Sequence, residues 1–203
     1  MAPYEYIKSE IITGNFAPGS IFEEANVAKK LNVSRTPVRE AVLKLCSEGY
    51  LTIIPRKGTL VSNISINDIK EVYEFRIILE GEGIKNIKNV NKSLLIEWKN
   101  YFTNLLSDNL KEENDDPLLD LDKKFHLDLI NMLNNKLIPN ELSLLMDKSR
   151  RIRYLSNKKS DERFKESINE HLDIINSLLD NNLEESSQNM VSHLKKSLEG
   201  YNF

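Results

Sequence analysis

Asp122 and His126 stand four residues apart, the spacing that sets two side chains next to each other on one helix face. Stepping 100° per residue through 117–134, the apolar arc comprises Leu118, Leu119, Leu121, Phe125, Leu129, Ile130, Met132 and Leu133. The Asp122–His126 pair falls near its middle. A carboxylate buried without a partner is costly, so Asp122 there calls for a cation or a metal ion. His171 occupies the same kind of place among Phe164, Ile168, Ile175 and Leu178, and His193 lies at the edge of a third apolar face. Those three are all the histidines of the 203-residue chain. A single inward histidine is commonly a core residue with locally satisfied nitrogens, and Asp122–His126 alone reads equally well as a buried hydrogen-bonded pair. Three inward imidazoles and a carboxylate from three helices favour a metal centre in a bundle core. The set suits a divalent ion: zinc, nickel or manganese first, cobalt or iron(II) also, with positions left over in an octahedral ion.

A second group of residues has the chemistry to meet nucleic acid. In Val33-Ser34-Arg35-Thr36-Pro37-Val38-Arg39-Glu40-Ala41-Val42, Ser34 is placed as an N-cap whose hydroxyl accepts from first-turn amides. Pro37 sits in that turn, where a missing N–H costs little. Val38, Ala41, Val42 and Leu45 form one buried stripe, leaving Arg35, Thr36 and Arg39 at the exposed start of the helix. Arginine at such a place pairs with phosphate or takes both acceptors of a guanine edge. Glu23–Leu31 reads as a preceding short helix, Asn32-Val33 as the tight turn, and Gly49 as the left-handed residue that ends the second helix. Leu51–Ile54 and Thr59–Val61 are short β-rich runs joined by Pro55-Arg56-Lys57-Gly58, a hairpin with two cations and a glycine at its tip.

Charge follows the same division. The chain has 28 basic and 31 acidic residues, a net of −3. Its first 64 residues carry eight basic and six acidic ones, so the excess of acid lies entirely in the remainder. A mild local positive excess suits specific binding to an operator better than coating of DNA.

The elements behind these residues make a mainly α protein. Length and 40% hydrophobic content allow two modest domains, 1–64 and 65–203. The boundary is marked by Ser65 as N-cap with Asp68 at N3. Beyond it six helical stretches and no strand are expected: Ile66–Ile87, Ser93–Leu110, Pro117–Asn134, Ile138–Asn157, Asp161–Leu179 and Leu183–Tyr201. Lys111–Asp116 and Asp180-Asn181-Asn182 read as connectors. Leu95, Trp98, Phe102, Leu105 and Leu106 share one face of the second stretch. One cysteine, Cys46, leaves no internal disulfide and reads as a small core residue. No stretch has the length and apolarity of a membrane span, and the N-terminus lacks a signal-peptide pattern, so a cytoplasmic location is expected.

Ile12-x-Gly14, Pro18-Gly19, Leu31 to Ala41, Glu48-Gly49-Tyr50-Leu51 and Arg56-Lys57-Gly58-Thr59-Leu60-Val61, in that order, resemble the winged helix of GntR-family transcriptional regulators. The resemblance implies operator contacts by Arg35, Thr36, Arg39 and Gly58. Ala25 stands where some members carry a DNA-contacting arginine, so the operator sequence does not carry over. Residues 65–203 resemble the FCD domain, in the shorter, VanR-like form with six helices, through Glu74-x-Arg76-x-x-x-Glu80, Asp122, Phe125-His126, Asn135, Glu170-His171 and His193. In members that keep the aspartate and three histidines, those residues bind a metal whose open sites receive a small organic acid. All four are present here.

A carboxylate effector needs a cation for its far end. Arg153, on the inward arc near Met146 and Ile152, is the first candidate and Arg76 the second; each also reads as an arginine with a buried stem and a wet head. Together these features describe a metabolite-responsive repressor or activator. A homodimer would read double-stranded operator DNA with Ser34, Arg35, Thr36 and Arg39 in a major groove and Arg56-Lys57-Gly58 near a minor groove. Two other readings stay open: a regulator of a larger apolar ligand without metal, and a metalloenzyme in which the ion activates water.

Overall fold

The computed structural model describes residues 1–107, 115–156 and 161–201. The expected helix ends at 108–110 and 157, and the connector from 111 to 114, lie outside the described residues. In chain order the elements are α1 (Pro3–Ile12), β1 (Ile21–Phe22), α2 (Glu24–Leu31), α3 (Arg35–Ser47), β2 (Leu51–Ile54), β3 (Gly58–Val61), α4 (Ile66–Lys85), α5 (Lys92–Ser107), α6 (Asp115–Asn131), α7 (Ile138–Ser156), α8 (Asp161–Leu179) and α9 (Leu183–Glu199). Two compact units emerge, one from the described residues of Met1–Asp68 with Asp147–Asn157, the other from those of Ile69–Met146 with Lys158–Phe203.

In the first unit α1, α2 and α3 bury Ile7, Ile11, Val27, Val38, Val42 and Leu45 around Phe22, Tyr50, Leu51 and Val61. The turn between α2 and α3 is made by Asn32, whose φ of +53° is left-handed, with the Val33 amide donating to the Ala28 carbonyl at 3.0 Å. Gly49 takes φ +83° after α3, where a side chain would be strained, and the Tyr50 amide closes onto the Leu45 carbonyl at 2.9 Å. The expected hairpin is present and gains a third strand: the sheet order is β1-β3-β2, antiparallel throughout, with Ile21 opposite Leu60 and Ile54 opposite Gly58. Neither β1 nor α1 figured in the sequence reading. The second half of α7 also belongs to this unit. Lys8 Nζ lies 2.8 Å from Asp147 and 3.3 Å from Glu48, and Arg151 donates to the Ser62 carbonyl at 2.5 Å.

The second unit is all helix among its described residues, as expected, with helix limits that differ from the sequence reading by a few residues. Ahead of it, Ser65 and Asp68 form the anticipated capping box at the start of α4. The Ser65 amide and hydroxyl each donate to the Asp68 carboxylate at 2.7 Å, and the Asp68 amide returns to the Ser65 hydroxyl at 3.1 Å. Leu95, Trp98, Phe102 and Leu105 of α5 are buried as the periodicity requires, joined by Phe125 and Leu129 of α6 and Ile168, Ile174, Ile175 and Leu178 of α8. Trp98 stacks on Phe102 at 5.3 Å, and both meet Phe125 edge-on. Gly81 lets α4 approach α9: a Cβ there would stand 2.8 Å from the Val191 side chain, and Ser187 donates to the Gly81 carbonyl at 2.8 Å. That approach fixes the buried face of α4, which carries Tyr73, Arg76 and Glu80.

Candidate metal centre and nucleic-acid face

Three helices of the second unit deliver the four expected donors to one place. Asp122 and His126 come from α6, His171 from α8 and His193 from α9. One ligand atom from each lies within 4.8 Å of the other three. The ring centroids are 5.3 Å apart for His126 and His171, 5.4 Å for His126 and His193, and 4.6 Å for His171 and His193. All three imidazoles are buried, His193 included, although its periodicity placed it at an edge; only the Asp122 side chain keeps appreciable exposure, at 29%.

The hydrogen bonding around the rings tests whether an ion fits. His126 Nδ1 is bonded to Glu80, and His193 Nδ1 donates to Glu170 at 2.7 Å. A carboxylate on Nδ1 fixes the proton there and turns the Nε2 lone pair outward, the arrangement that orients metal-binding histidines. Among the described residues His126 Nε2 and both ring nitrogens of His171 are buried with no hydrogen-bond partner. Asp122 Oδ1 stands 3.8 Å from His126 Nε2 and 3.5 Å from His171 Nε2. Those separations are too long for hydrogen bonds, yet suit two donors sharing one ion, each at about 2.1 Å. Unpartnered buried nitrogens facing a shared carboxylate are what a metal site presents to its ion. The residues fit the group.

Protonation agrees with that chemistry. Burial foremost, then the neighbouring His193, holds the His171 imidazole well below its ordinary value; burial likewise lowers His193, against the pull of Glu170. Burial alone would raise the Asp122 carboxyl, but His126, His171, His193 and Arg76 together hold it below the carboxylate range. His171 and His193 are thus held toward the neutral imidazole and Asp122 toward the ionised carboxylate, the forms a metal requires of its ligands. Phe102 and Phe125 wall the site on the side of His171, with centroids 5.1 and 4.6 Å from its ring.

Arg76 lies directly against this cluster. Its Nε donates to Glu80 at 2.7 Å and its Nη2 stands 3.4 Å from His126 Nδ1. The guanidinium is buried, so the wet-headed reading of this arginine does not hold. Burial would raise the Glu80 carboxyl, but Arg76 and His126 bring it down to about 2. Arg153 falls in the half of α7 that groups with the first unit and is half-buried. Glu80 and Glu170 each hold one of the rings, and sequence reading did not single them out as site groups. Glu80 had a signal, since Tyr73, Arg76, Glu80 and Ile84 share one helical stripe.

In the first unit Ser34, Arg35, Thr36 and Arg39 are all exposed at the start of α3, and Arg56, Lys57 and Gly58 at the tip of β2–β3. Ser34 occupies the N-cap position, but its side chain makes no capping hydrogen bond, contrary to the sequence expectation. No anchor was needed from it, because the stripe of Val38, Ala41, Val42 and Leu45 already holds the helix in the core. Arg56 adopts φ +64° and Gly58 φ +100°, which turn the tip within three residues.

Comparison with known proteins agrees with this geometry. Residues 3–61 match the family described as bacterial regulatory proteins, gntR family, and residues 71–196 match the FCD domain. The uncharacterized HTH-type transcriptional regulator YdhC of Bacillus subtilis (strain 168) is 28% identical over 199 residues, covering 97% of this chain and 88% of its own. The HTH-type transcriptional repressor RspR of Escherichia coli (strain K12) is 27% identical over 202 residues, covering 95% and 84%. Among solved structures, a GntR transcriptional regulator from Rhodococcus sp. RHA1 aligns with a TM-score of 0.79 at 20% identity, covering 98% of this chain and 94% of its own. McbR/YncC of E. coli aligns at 0.74 and 17%, covering 97% and 93%. At those identities the two structures speak for the fold. Among the described residues no helix is long and apolar enough to cross a membrane.

Proposed function

The chain belongs to the GntR family of bacterial DNA-binding transcriptional regulators and carries an FCD domain, and from that membership we propose a regulator whose operator binding answers to a metal-held organic acid. Its relatives are transcriptional regulators, not enzymes, which sets the metalloenzyme reading aside. Residues 1–64 serve as the reader of double-stranded operator DNA and residues 65–203 as the sensor. Asp122, His126, His171 and His193 hold one divalent ion, with zinc, nickel and manganese as first choices. When bound, the ion supplies open coordination positions to a small carboxylate metabolite. Arg76, buried beside the cluster and paired with Glu80, is the candidate donor to the acid's polar end. Two chains act as a homodimer, Ser34, Arg35, Thr36 and Arg39 entering major grooves of a pseudo-palindrome, while Arg56, Lys57 and Gly58 lie near a minor groove. The effector shifts the operator affinity, and by linkage the operator shifts the effector affinity by the same factor.

One observation carries the metal part of this reading: two unpartnered imidazole nitrogens, buried, turned toward the same Asp122 oxygen. The test is the metal content of protein purified without chelator. Wild type should hold about one ion per chain, and His171→Ala should fall to background while keeping its helical circular dichroism. Wild-type protein that neither retains an ion nor gains thermal stability from added zinc, nickel or manganese would falsify the reading.

A further inference from the structure

We propose that the centre is balanced for a ligand bearing a single negative charge, a small monocarboxylate, and that the buried Arg76–Glu80 pair sets this balance. The inference rests on the metal-and-carboxylate reading above and adds the charge class of the acid. Among the described residues few charges lie at the cluster. Asp122 and Glu80 are negative and Arg76 is positive, while the three imidazoles are neutral when they serve as ligands. Tyr73, packed beside Arg76, is a neutral phenol. A divalent ion adds two positive charges, and the shell is left with one positive charge before any ligand enters.

The groups just outside do not change that count. Glu170 is answered by Arg163, whose two Nη atoms each donate to it at 2.9 Å. Lys196, 3.2 Å from Glu170, is more than half exposed and screened by water. Around the Arg76–Glu80 pair such screening is weak, because Glu80 is fully buried and Arg76 nearly so.

Glu80 cannot leave the ledger. One of its oxygens receives Arg76 Nε at 2.7 Å and the other meets His126 Nδ1, so both are fixed between a cation and a ligand ring. Most of the charge that Arg76 brings is therefore answered inside the protein. A monocarboxylate neutralises the remaining positive charge. A dicarboxylate of the same size brings a second negative charge with no counterpart, in a place where an unmatched charge is expensive.

The experiment is a calorimetric titration of the full-length, metal-loaded protein with two probes, lactate and malate, at neutral pH and constant ionic strength. Both are α-hydroxy acids and differ by one carboxylate. Metal content is measured before and after, so that stripping of the ion is visible. Lactate should bind at least about tenfold more tightly than malate, the factor that a modest unmatched charge interaction supplies. Glu80→Gln removes one negative charge and should move the ratio about tenfold toward malate; Arg76→Gln should move it the other way. The double variant restores the count and should restore the ratio, a rescue that a merely structural role for the pair would not give. It also retains a neutral, hydrogen-bonding pair of similar shape should either single variant fold poorly. Preference for malate in the wild type overturns the proposal without variants. A ratio untouched by Glu80→Gln in folded, metal-loaded protein overturns it too. Retained metal with no heat from either acid overturns the carboxylate reading beneath it, and loss of metal overturns the metal reading; the proposal falls with either.

Discussion

The N-terminal unit and the helical unit hold their charges in opposite ways. In the first, Arg35, Arg39, Arg56 and Lys57 stand in water on a helix start and a hairpin tip. In the second, Arg76, Glu80 and three imidazoles are buried, and each charge is answered by a neighbour at hydrogen-bond range or across a few ångströms. Exposed cations act through a field that tolerates small displacements and weakens with salt. Buried charges are barely screened, so they tolerate neither a lost partner nor a shifted ring. Damage to the two regions should therefore look different: graded and salt-dependent in the reader, stepwise and partner-specific in the sensor.

The largest expected effect probes the reader. Arg39→Ala should cost about 1–3 kcal/mol in specific operator binding and leave stability nearly unchanged, since the side chain is exposed. Fluorescence anisotropy with operator and unrelated DNA across a salt series measures this. Equal losses on both DNAs would assign Arg39 to the backbone, and no loss on either would break the comparison. Next comes the sensor. Glu170→Gln leaves every donor atom in place but weakens the acceptor on His193 Nδ1, which should lower metal affinity about tenfold to a hundredfold with little dependence on salt. A competition titration against a chromogenic chelator reads it; an unchanged affinity would mean that the outer carboxylate does not orient the ring.

Legibility in sequence divides along the same line. The α3 start, the wing cations and the clustered aspartate and histidines were visible because each falls at a fixed spacing or on an apolar face within its own helix or hairpin. So was the stripe of Leu95, Trp98, Phe102 and Leu105. β1 was not, because two residues give no alternation to count, and Ile21 and Phe22 become a strand only by pairing with Leu60 and Thr59 of β3. Glu80 and Glu170 were visible as residues but not as partners of His126 and His193, since those pairs lie 46 and 23 positions apart. Nothing local says which distant ring a glutamate will meet. Arg76 shows the converse: helical stripes place it inward, but only the fold reveals that its head is buried too.

Two serines at helix starts give the smallest and most discriminating test. Ser65 and Ser34 read alike in sequence, yet Ser65 is locked with Asp68 while Ser34 makes no capping bond. Ser65→Ala should cost about 1 kcal/mol of stability, and Ser34→Ala close to nothing in stability while weakening operator binding. Acid adds a signature. Bonds from the Ser65 hydroxyl and amide hold the Asp68 carboxyl below its ordinary value. Its contribution is therefore complete above the unfolded pKa of about 3.9 and is lost as pH falls through the folded one. Urea unfolding of wild type and Ser65→Ala should differ most at neutral pH and converge in acid, whereas the Ser34→Ala curve should follow wild type throughout. If both serines destabilised equally, the N-cap of α3 would be structural, and the distinction between a helix start kept open for DNA and one closed for the scaffold would fail.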